Sequence, residues 1–488
     1  MSATRHSFLF SFAEKYTVLL LGIVASMVLS RLLTPAEVGV YSLGAVLVAL
    51  AQVVRDFGVG QYLIQEKQLD VVKLRAALAT SLLVAWLLAG LVMLASAPLA
   101  HFYGEPRLTL VLRLLAINFL LIPFSALTLP MLRRQLRFRA IYAINAANSV
   151  VNLLVAVLLA LHGYSYMSMV WAALAASCAS LLVSLLVRPA ELPWLPGRRG
   201  LGAIARFGAY ATGGGLVDEA GVAAPDLIIG KLIGIESLAL FGKAQSVLNI
   251  FNQAITSAIS PVVFPLLAAR ARGEGGQGGA EGAYLRTISY MTALAWPFFL
   301  FLACMALPLV KVLYGTQWLG CVPLIRIMCL SSAVYSMFSM ARYLLVATGQ
   351  LHAQVRLDAW SGTLKVALLL AAAPFGLVAV AWAVVLSNVL RSCLNYRCLR
   401  RLNALDWRIL ARAVRKSLLL CGPSAVAPVA ALLLLPADTP ALLALTGTAL
   451  ATLLCWLAGL FLLQHELAGE FLLLHVPSLW SRRGRTKG

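Results

Sequence analysis

Charge is scarce in this chain of 488 residues, and acid is scarcer still. Charged residues make up 12%, with 18 Asp plus Glu against 39 Lys plus Arg. A soluble protein carries roughly a quarter charged residues. With 61% hydrophobic residues there is too much apolar surface for a soluble core to hide, so much of it faces lipid. Several signatures are also missing. No G-x-x-x-x-G-K-[ST] occurs, which argues against the phosphate loop of an ATP-driven pump, and neither H-E-x-x-H nor G-x-S-x-G is present. The eight cysteines (Cys178, Cys304, Cys321, Cys329, Cys393, Cys398, Cys421 and Cys455) form no C-x-x-C pair. Most sit in apolar runs and read as small buried hydrophobes, with no disulfide framework or metal site expected. The six histidines, His6, His101, His162, His352, His465 and His475, are scattered over helix ends and loops and read as interfacial or structural. No cleavable signal is expected, because Glu14 and Lys15 interrupt the start and no small-residue cleavage site follows the first apolar stretch.

What the chain does have is length of apolar run. In lipid every backbone N–H and C=O needs an internal partner, which leaves helices or closed barrels. Barrel strands alternate over about ten residues. The runs 76–97, 140–161 and 442–463 are about twice that length and do not alternate. The chain therefore reads as an all-α integral membrane protein. Taking about twenty residues per crossing, spans are expected at 14–33, 38–56, 74–97, 108–129, 140–161 and 165–187. A second group is expected at 206–229, 238–260, 286–308, 321–346, 360–374 and 377–396, and two more at 417–435 and 441–464. That makes fourteen, of which 206–229 is polar and 360–374 short.

Positive charge orients them, because Lys and Arg concentrate in cytoplasmic loops. With the N-terminus inside, the cytoplasmic side receives Arg55, Lys67, Lys73 and Arg75, then Arg133, Arg134, Arg137 and Arg139. Arg188, Arg198, Arg199 and Arg206 follow, then Arg270, Arg272 and Arg286, the cluster 397–416, and the tail Arg482, Arg483, Arg485 and Lys487. The loops around Gly163, Gly376 and Ala437 carry no Lys or Arg. Both termini are thus expected in the cytoplasm, and the net charge of +21 follows from topology and attraction to anionic membrane lipids, with no nucleic-acid partner. The glycine-rich segment 273–282 should be a flexible linker.

A weak internal repeat appears at an offset of 200 residues: Arg31-Leu32-Leu33 matches Lys231-Leu232-Ile233, and Tyr41 matches Phe241. Each copy falls where the first helix of a six-helix set meets the second. Six is even, so the copies share one orientation and are related by an axis along the membrane normal, as in transporters. The expected organisation is a six-helix lobe over 1–200, a second over 201–400, and two additional helices with a basic tail over 401–488.

Charges inside helices are the candidates for function, since each costs about 2.5–3.5 kcal/mol at the bilayer centre and normally faces a wet cavity or a partner. The seventh span carries Asp218, Glu219 and Asp226, with Gly213-Gly214-Gly215 before them and Pro225 among them. Pro225 should kink that helix, and interrupted helices are where transporter sites tend to lie. The alternative is that these acids pair with Lys231 or Lys243. The basic candidates are Arg31, Arg55, Arg113, Lys231, Lys243, Arg326 and Arg342. Arginine's bidentate fork suits a phosphate group, so Arg31, Lys231, Arg326, Arg342 and Arg55 are the candidate head-group binders. Arg55 and Arg342 also fit the role of cytoplasmic-end anchors.

Several motifs taken in order resemble one family. Leu33-Thr34-Pro35-Ala36-Glu37-Val38-Gly39-Val40-Tyr41 resembles the L-[ST]-P-x-x-x-G-x-Y turn of bacterial polysaccharide and O-antigen flippases. Asp56-Phe57-Gly58 followed by Gln61-Tyr62-Leu63-Ile64-Gln65 looks like the end of their second helix, and Arg133-Arg134-Gln135-Leu136-Arg137-Phe138-Arg139 like their R-R-x-x-x-F-R loop. Asp226 to Gly234 resembles the close of their seventh helix, and Ala347-Thr348-Gly349-Gln350 their turn after the tenth. The chain departs from the pattern at Leu240-Phe241, where a Gly–Tyr pair is usual, and in its acidic seventh helix. These flippases are the polysaccharide transporter branch of the multidrug/oligosaccharidyl-lipid/polysaccharide exporter superfamily.

The resemblance implies a non-enzymatic flippase of the bacterial inner membrane. It would carry undecaprenyl-pyrophosphate-linked oligosaccharides for O-antigen, exopolysaccharide or capsule assembly, alongside a polysaccharide polymerase and a chain-length regulator. It implies two lobes around a central cavity and no cofactor. Uphill transport would then draw on a proton or sodium gradient, with Glu219 singled out over Asp218 and Asp226 because it lies deeper than Asp226 and farther from Lys231. Two other readings compete. A cation-coupled multidrug antiporter of the related fold usually has twelve helices and acids in its N-terminal lobe, and here the cavity candidates include many Arg. A membrane glycosyltransferase or polymerase would need catalytic acids or a large outside loop. Reporter fusions after Arg139, Arg199, Arg272 and Lys416 are expected to read cytoplasm, and fusions near Gly163 and Ala437 the outside; reversal at any two sites overturns the fourteen-span topology.

Overall fold

The structure, a computed structural model, describes residues 2–273, 279–403, 406–436 and 439–469. Among them the regular secondary structure is helical, with no strand. The chain divides into two compact units, Met1–Gly242 and Lys243–Gly488. The first holds α1 (Ser2–Leu32), α2 (Pro35–Asp56), α3 (Val59–Gln65), α4 (Val71–Tyr103), α5 (Arg107–Leu121), α6 (Thr128–Arg134), α7 (Phe138–Leu161), α8 (Met167–Leu186) and α9 (Leu201–Leu232). The division falls within α10 (Ile235–Phe251). The second unit holds α11 (Ser257–Ala271), α12 (Gly279–Cys304), α13 (Ala306–Leu313), α14 (Cys321–Ser336) and α15 (Ala341–Ala347). It continues through α16 (Leu351–Ala372), α17 (Leu377–Asn403), α18 (Trp407–Leu434) and α19 (Ala441–Leu462).

Eleven stretches among the described residues are long and apolar enough to cross a membrane. Three further rods occupy the remaining expected spans, and each has a physical reason for falling short. α9 carries Arg206, Asp218, Glu219, Asp226 and Lys231. α16 carries Arg356, Asp358 and Lys365. The rod from α10 to α11 is interrupted by a π-helical turn, Asn252–Thr256. The linker expected at 273–282 lies in part, and the basic tail from Arg482 wholly, outside the described residues.

The Leu33–Tyr41 motif has a local cause for each part. Thr34 caps α2: its backbone N–H donates to Glu37 Oε2 at 2.7 Å, and the Glu37 N–H donates to Thr34 Oγ1 at 3.4 Å. This reciprocal box satisfies two otherwise orphaned donors, and Pro35 at the first helical position loses nothing by lacking an N–H. Glu37 also accepts a hydrogen bond from Ser165, tying the α7–α8 turn to the start of α2. Gly39 is required by contact, because a β-carbon there would lie 2.1 Å from the Ile235 carbonyl oxygen. At the far end of α2, Phe57 and Gly58 take the left-handed conformation with φ of 42° and 61°. A β-carbon on Gly58 would meet Ala211 at 2.7 Å, and one on Gly208 would meet the Phe57 ring at 2.3 Å. α9 is therefore packed against α2, α3 and α4, within the first unit.

α9 also departs from expectation in its continuity. It runs as one α-helix through Gly213–Gly215 and Pro225. Proline removes one intrahelical hydrogen bond, but Ala223, Ala224 and Pro225 are all buried, and the packed face carries the helix past the defect.

In the second unit α12 packs against α11, α14 and α18, and α18 packs on α19, so the two helices after the repeat belong to this body. A polar lock joins them. His465, 2% exposed, accepts the Leu467 N–H on Nδ1 at 3.2 Å, which places its own proton on Nε2, 3.2 Å from Ser417 Oγ. Ser417 Oγ donates to the Ser289 carbonyl at 3.1 Å, and Thr292 Oγ1 lies 2.9 Å from Ser417 Oγ.

Two outcomes are expected. Gly39→Ala overpacks the α2–α10 contact and should lower stability by about 1–3 kcal/mol; an unchanged thermal midpoint would remove this account of the motif. Burial, aided by Lys416 and opposed by Glu466, pushes the His465 imidazole below its ordinary 6.5. The unfolded chain therefore takes the proton first as pH falls, and stability is lost on acidification below about 6.5. The wild-type thermal midpoint should drop between pH 7 and pH 5.5 by more than that of His465→Asn.

Candidate functional site

Where α2 ends, the chain turns through α3 and meets α4, α6 and α9 around a cavity of about 480 Å³. Arg55, Asp56 and Gln61 come from α2 and α3, Ser81 from α4, Ser125 from the turn before α6, Arg133 from α6 and Thr212 from α9. The size suits a small ligand. The Arg55 side chain is 12% exposed and is fixed from two sides. Its Nε and Nη2 donate to Asp56 Oδ1 at 3.0 and 2.6 Å, and its guanidinium lies 5.6 Å from the centre of the Phe119 ring. Asp56 spends one oxygen on Arg55 and leaves its side chain 68% exposed. The Thr212 hydroxyl is buried without a hydrogen-bond partner. Two guanidinium groups against one carboxylate, with an amide and three hydroxyls around them, suit an anionic ligand that also carries hydroxyls.

The wall below the cavity is held by Arg134. Its guanidinium donates to the carbonyls of Leu63 and Glu66 at 2.8 and 2.5 Å and to that of Lys67 at 3.2 Å, gathering the last turn of α3. Lys73 stands 3.2 Å from Glu66, and its hydrogen bond holds the Glu66 carboxyl below the usual range. The R-R motif thus divides its work: Arg133 lines the cavity and Arg134 positions the chain that forms it.

The structure distributes the other sequence-derived candidates. Arg31 is exposed at the end of α1, at the opposite end of α2 from Arg55 and so about 30 Å away along a helix of 22 residues. Lys231, at the same end, donates to the Phe102 carbonyl, and its Nζ sits 4.3 Å from the centre of the Phe102 ring. Also at that end Arg107 pairs with Glu105 at 2.7 Å and holds the Glu105 carboxyl below its usual range. Asp218 is exposed and Glu219 and Asp226 are half-buried on α9, and none of them lines the cavity. Arg326 and Arg342 are exposed on α14 and α15 of the second unit.

Sequence reasoning passed over one pair. Asp358 on α16 and Arg391 on α17 form an ion pair at 2.8 Å inside the second unit. Both fell at the edges of the expected spans, because 360–374 starts after Asp358 and 377–396 ends soon after Arg391. The structure extends α16 back to Leu351 and α17 on to Asn403, drawing both charges into packed helices. The signal available was their charge alone. Among the described residues no three His, Cys, Asp or Glu side chains gather as a metal site, and the eight cysteines are unpaired.

Comparison with known proteins places this geometry. TuaB, a teichuronic acid biosynthesis protein of Bacillus subtilis (strain 168), is 23% identical over 346 residues, 68% of this chain and 69% of that protein. ExoT, a succinoglycan biosynthesis transport protein of Rhizobium meliloti (strain 1021), is 24% identical over 314 residues, 63% of this chain and 62% of that one. WzxC, a lipopolysaccharide biosynthesis protein of Escherichia coli (strain K12), is 21% identical over 388 residues, 77% of this chain and 76% of that one. Among solved structures, the lipid II flippase MurJ in an inward closed conformation superposes with a TM-score of 0.75 at 12% identity, over 94% of this chain and all of MurJ. An inward-facing multidrug resistance transporter of the MATE family gives 0.63 at 16% identity, over 79% of this chain and 95% of that one. At these identities the two structures show a shared fold. The model of the polysaccharide biosynthesis protein family matches residues 28–323, more than half of the chain, with every residue that lines the cavity inside the match, and the chain belongs to that family.

Proposed function

We propose that this protein is a flippase for lipid-linked saccharides, carrying undecaprenyl-pyrophosphate-linked oligosaccharides across the bacterial inner membrane for surface polysaccharide assembly. The observation that carries the reading is the cavity at the end of α2, where Arg55 and Arg133 face a lining of Gln61, Ser81, Ser125 and Thr212. A pyrophosphate linked to a sugar presents both an anion and hydroxyls, and these side chains match the two. Membership of a polysaccharide biosynthesis family supports it, as does a fold shared with a lipid II flippase. In this reading the chain crosses the membrane fourteen times with both termini cytoplasmic, and its lobes follow the repeat, 1–200 and 201–400, with 401–488 added. Arg55 and Arg133 lie at the end rich in basic loops, so the cavity is the cytoplasmic station for the head group. Arg31 and Lys231 lie at the outer end of the first unit and receive it there; Arg326 and Arg342 are the candidate head-group binders of the second unit, at opposite ends of the span 321–346. The protein acts as a transporter beside a polymerase and a chain-length regulator, and not as an enzyme.

A chain without a nucleotide motif needs another source of drive for uphill transport. We assign it to a proton or sodium gradient taken up by the acids of α9, with Glu219 first among Asp218, Glu219 and Asp226. The antiporter reading is the weaker one, since the cavity presents two guanidinium groups, which repel the cationic drugs such transporters export.

Replacing Arg55 and Arg133 together by Ala should lower transport of the glycan lipid at least tenfold, given about 1.5–3 kcal/mol for each hydrogen bond to a charged group. Lys at either position should restore it in part, because a point charge replaces a fork. The check is flipping in proteoliposomes beside complementation of a flippase-null strain, and full complementation by the double variant removes the cavity from the path. Imposed proton or sodium gradients should stimulate the wild type and leave Glu219→Gln unstimulated; equal stimulation of both would show that Glu219 does not couple transport.

A further inference from the structure

The ion pair in the second unit belongs to a longer polar network. Asp358 Oδ1 accepts from Arg391 Nη2 at 2.8 Å, and Asp358 Oδ2 accepts from Gln354 Nε2 at 2.8 Å, so both carboxylate oxygens are engaged. The Arg391 guanidinium lies 5.7 Å from the centre of the Tyr335 ring on α14. Tyr335 in turn lines a small pocket with Ser332, Ser336 and Ser339 of the same stretch, Asn252 and Thr256 of the π-helical turn, and the apolar Phe251, Met291 and Phe299. Beside the pair, Asn388 Nδ2 donates to the buried Ser331 Oγ at 2.7 Å. The polar contacts thus span α14, α16 and α17. Counting about 1.5 Å per residue from the turn at Gly376, Arg391 lies about 22 Å and Asp358 about 27 Å along their helices, within a hydrocarbon core about 30 Å thick.

Two atoms in it are unsatisfied. Arg391 Nε is a buried donor without a partner, and Gln354 Oε1 is a buried acceptor without one, on a residue only 2% exposed. Nature leaves few such groups, and each calls for an explanation. The guanidinium fork is made to engage two oxygens at once, yet Asp358 is held by Gln354 where it meets Arg391 through a single nitrogen. The Arg391 side chain remains 35% exposed, so its guanidinium is open to a ligand.

We propose that Arg391 is an anion-binding residue of the transport path in the second unit, masked by Asp358 until a phosphate group displaces it. The substrate class is the pyrophosphate head group of the proposed function, and the inference rests on that reading. Once Asp358 swings away, a phosphate presents two acceptor oxygens in the geometry of the fork, one for Nη2 and one for the Nε that the carboxylate, pinned by Gln354, leaves buried and unpartnered. Asp358 is then a positioning residue: it holds the guanidinium in place against Tyr335 and lowers its affinity, so that the head group is released again after each passage. Stereochemically the pair is a competition between two acids for one base, and no bond is made or broken.

The test uses the purified full chain in detergent, with farnesyl pyrophosphate as probe and farnesol as its uncharged control. Asp358→Asn removes the competitor and should tighten pyrophosphate binding roughly fivefold or more, the low end of couplings between sites. Arg391→Ala should weaken it by a similar factor, and Arg391→Lys should restore part of the loss. A purely structural pair gives a different pattern: Asp358→Asn lowers the thermal midpoint and leaves binding unchanged or weaker, which overturns the proposal. The exchanged pair Asp358→Arg with Arg391→Asp guards against misfolding. It keeps the ion pair and should keep the fold, but it moves the cation to α16; full wild-type binding in that variant also overturns the proposal. If Arg391→Ala binds like wild type while Arg55→Ala is weakened, Arg391 is off the path and the flippase reading stands. If wild type binds farnesyl pyrophosphate no better than farnesol, the head-group reading falls and takes this one with it.

Discussion

The close approach of α9 and the start of α10 to α2 sets the geometry of the first unit. It depends on three glycines, Gly39, Gly58 and Gly208, at each of which a β-carbon would come within 2.1 to 2.7 Å of a neighbouring atom. Lipid gives helices no hydrophobic reason to associate, so contact must come from close backbone packing and from polar links. Here the two work together. The glycines let the helices touch, the Thr34–Glu37 box and Ser165 fix one end of α2, and the left-handed Phe57–Gly58 pair ends the other. That left-handed turn throws the chain into α3, and the space between α3, α4, α6 and α9 is the cavity. The site is therefore a consequence of how α2 is terminated.

The second unit is organised by polar contacts, buried at His465 and partly exposed at the Asp358–Arg391 pair. His465, Ser417, Ser289 and Thr292 pin α12, α18 and the segment after α19 together, and Asp358 with Arg391 joins α16 to α17. A partly exposed ion pair adds little net stability, about 0–1 kcal/mol. Such a pair is better suited to specifying an arrangement, or to being exchanged for a ligand, than to strengthening a fold. The π-helical turn between α10 and α11 lies in the same neighbourhood, and turns of this kind are frequent at functional sites.

The cations of the chain separate into distinct roles once their partners are seen. Arg55 is held by Asp56 and Phe119 and faces the cavity; Arg134, one residue from a cavity-lining arginine, is consumed by three backbone carbonyls. Lys231 is engaged by Phe102, and Arg107 by Glu105. Residue type alone would have ranked all of these together. What distinguishes them is which donors remain after the backbone and the local acids have been served.

The sequence by itself determined that this protein is an all-α membrane protein and where most of its helices lie, because the need to satisfy every backbone group in lipid leaves a signal in long apolar runs. It also determined the family resemblance, since the Leu33–Tyr41 motif and the Arg133–Arg139 loop are local devices whose residues are adjacent in the chain. Helices bearing several charges, α9 and α16, were harder to delimit, and Asp358 and Arg391 were missed because helix ends are set by packing more than by composition. The continuity of α9 through Pro225 was likewise decided by its buried face. Only the tertiary structure decided which candidates meet. Arg55 shares a cavity with Arg133, 78 positions along the chain, while Arg31 stands at the other end of α2. Such pairings depend on the close contacts of glycines with particular atoms of distant helices, and no periodicity within one helix records them.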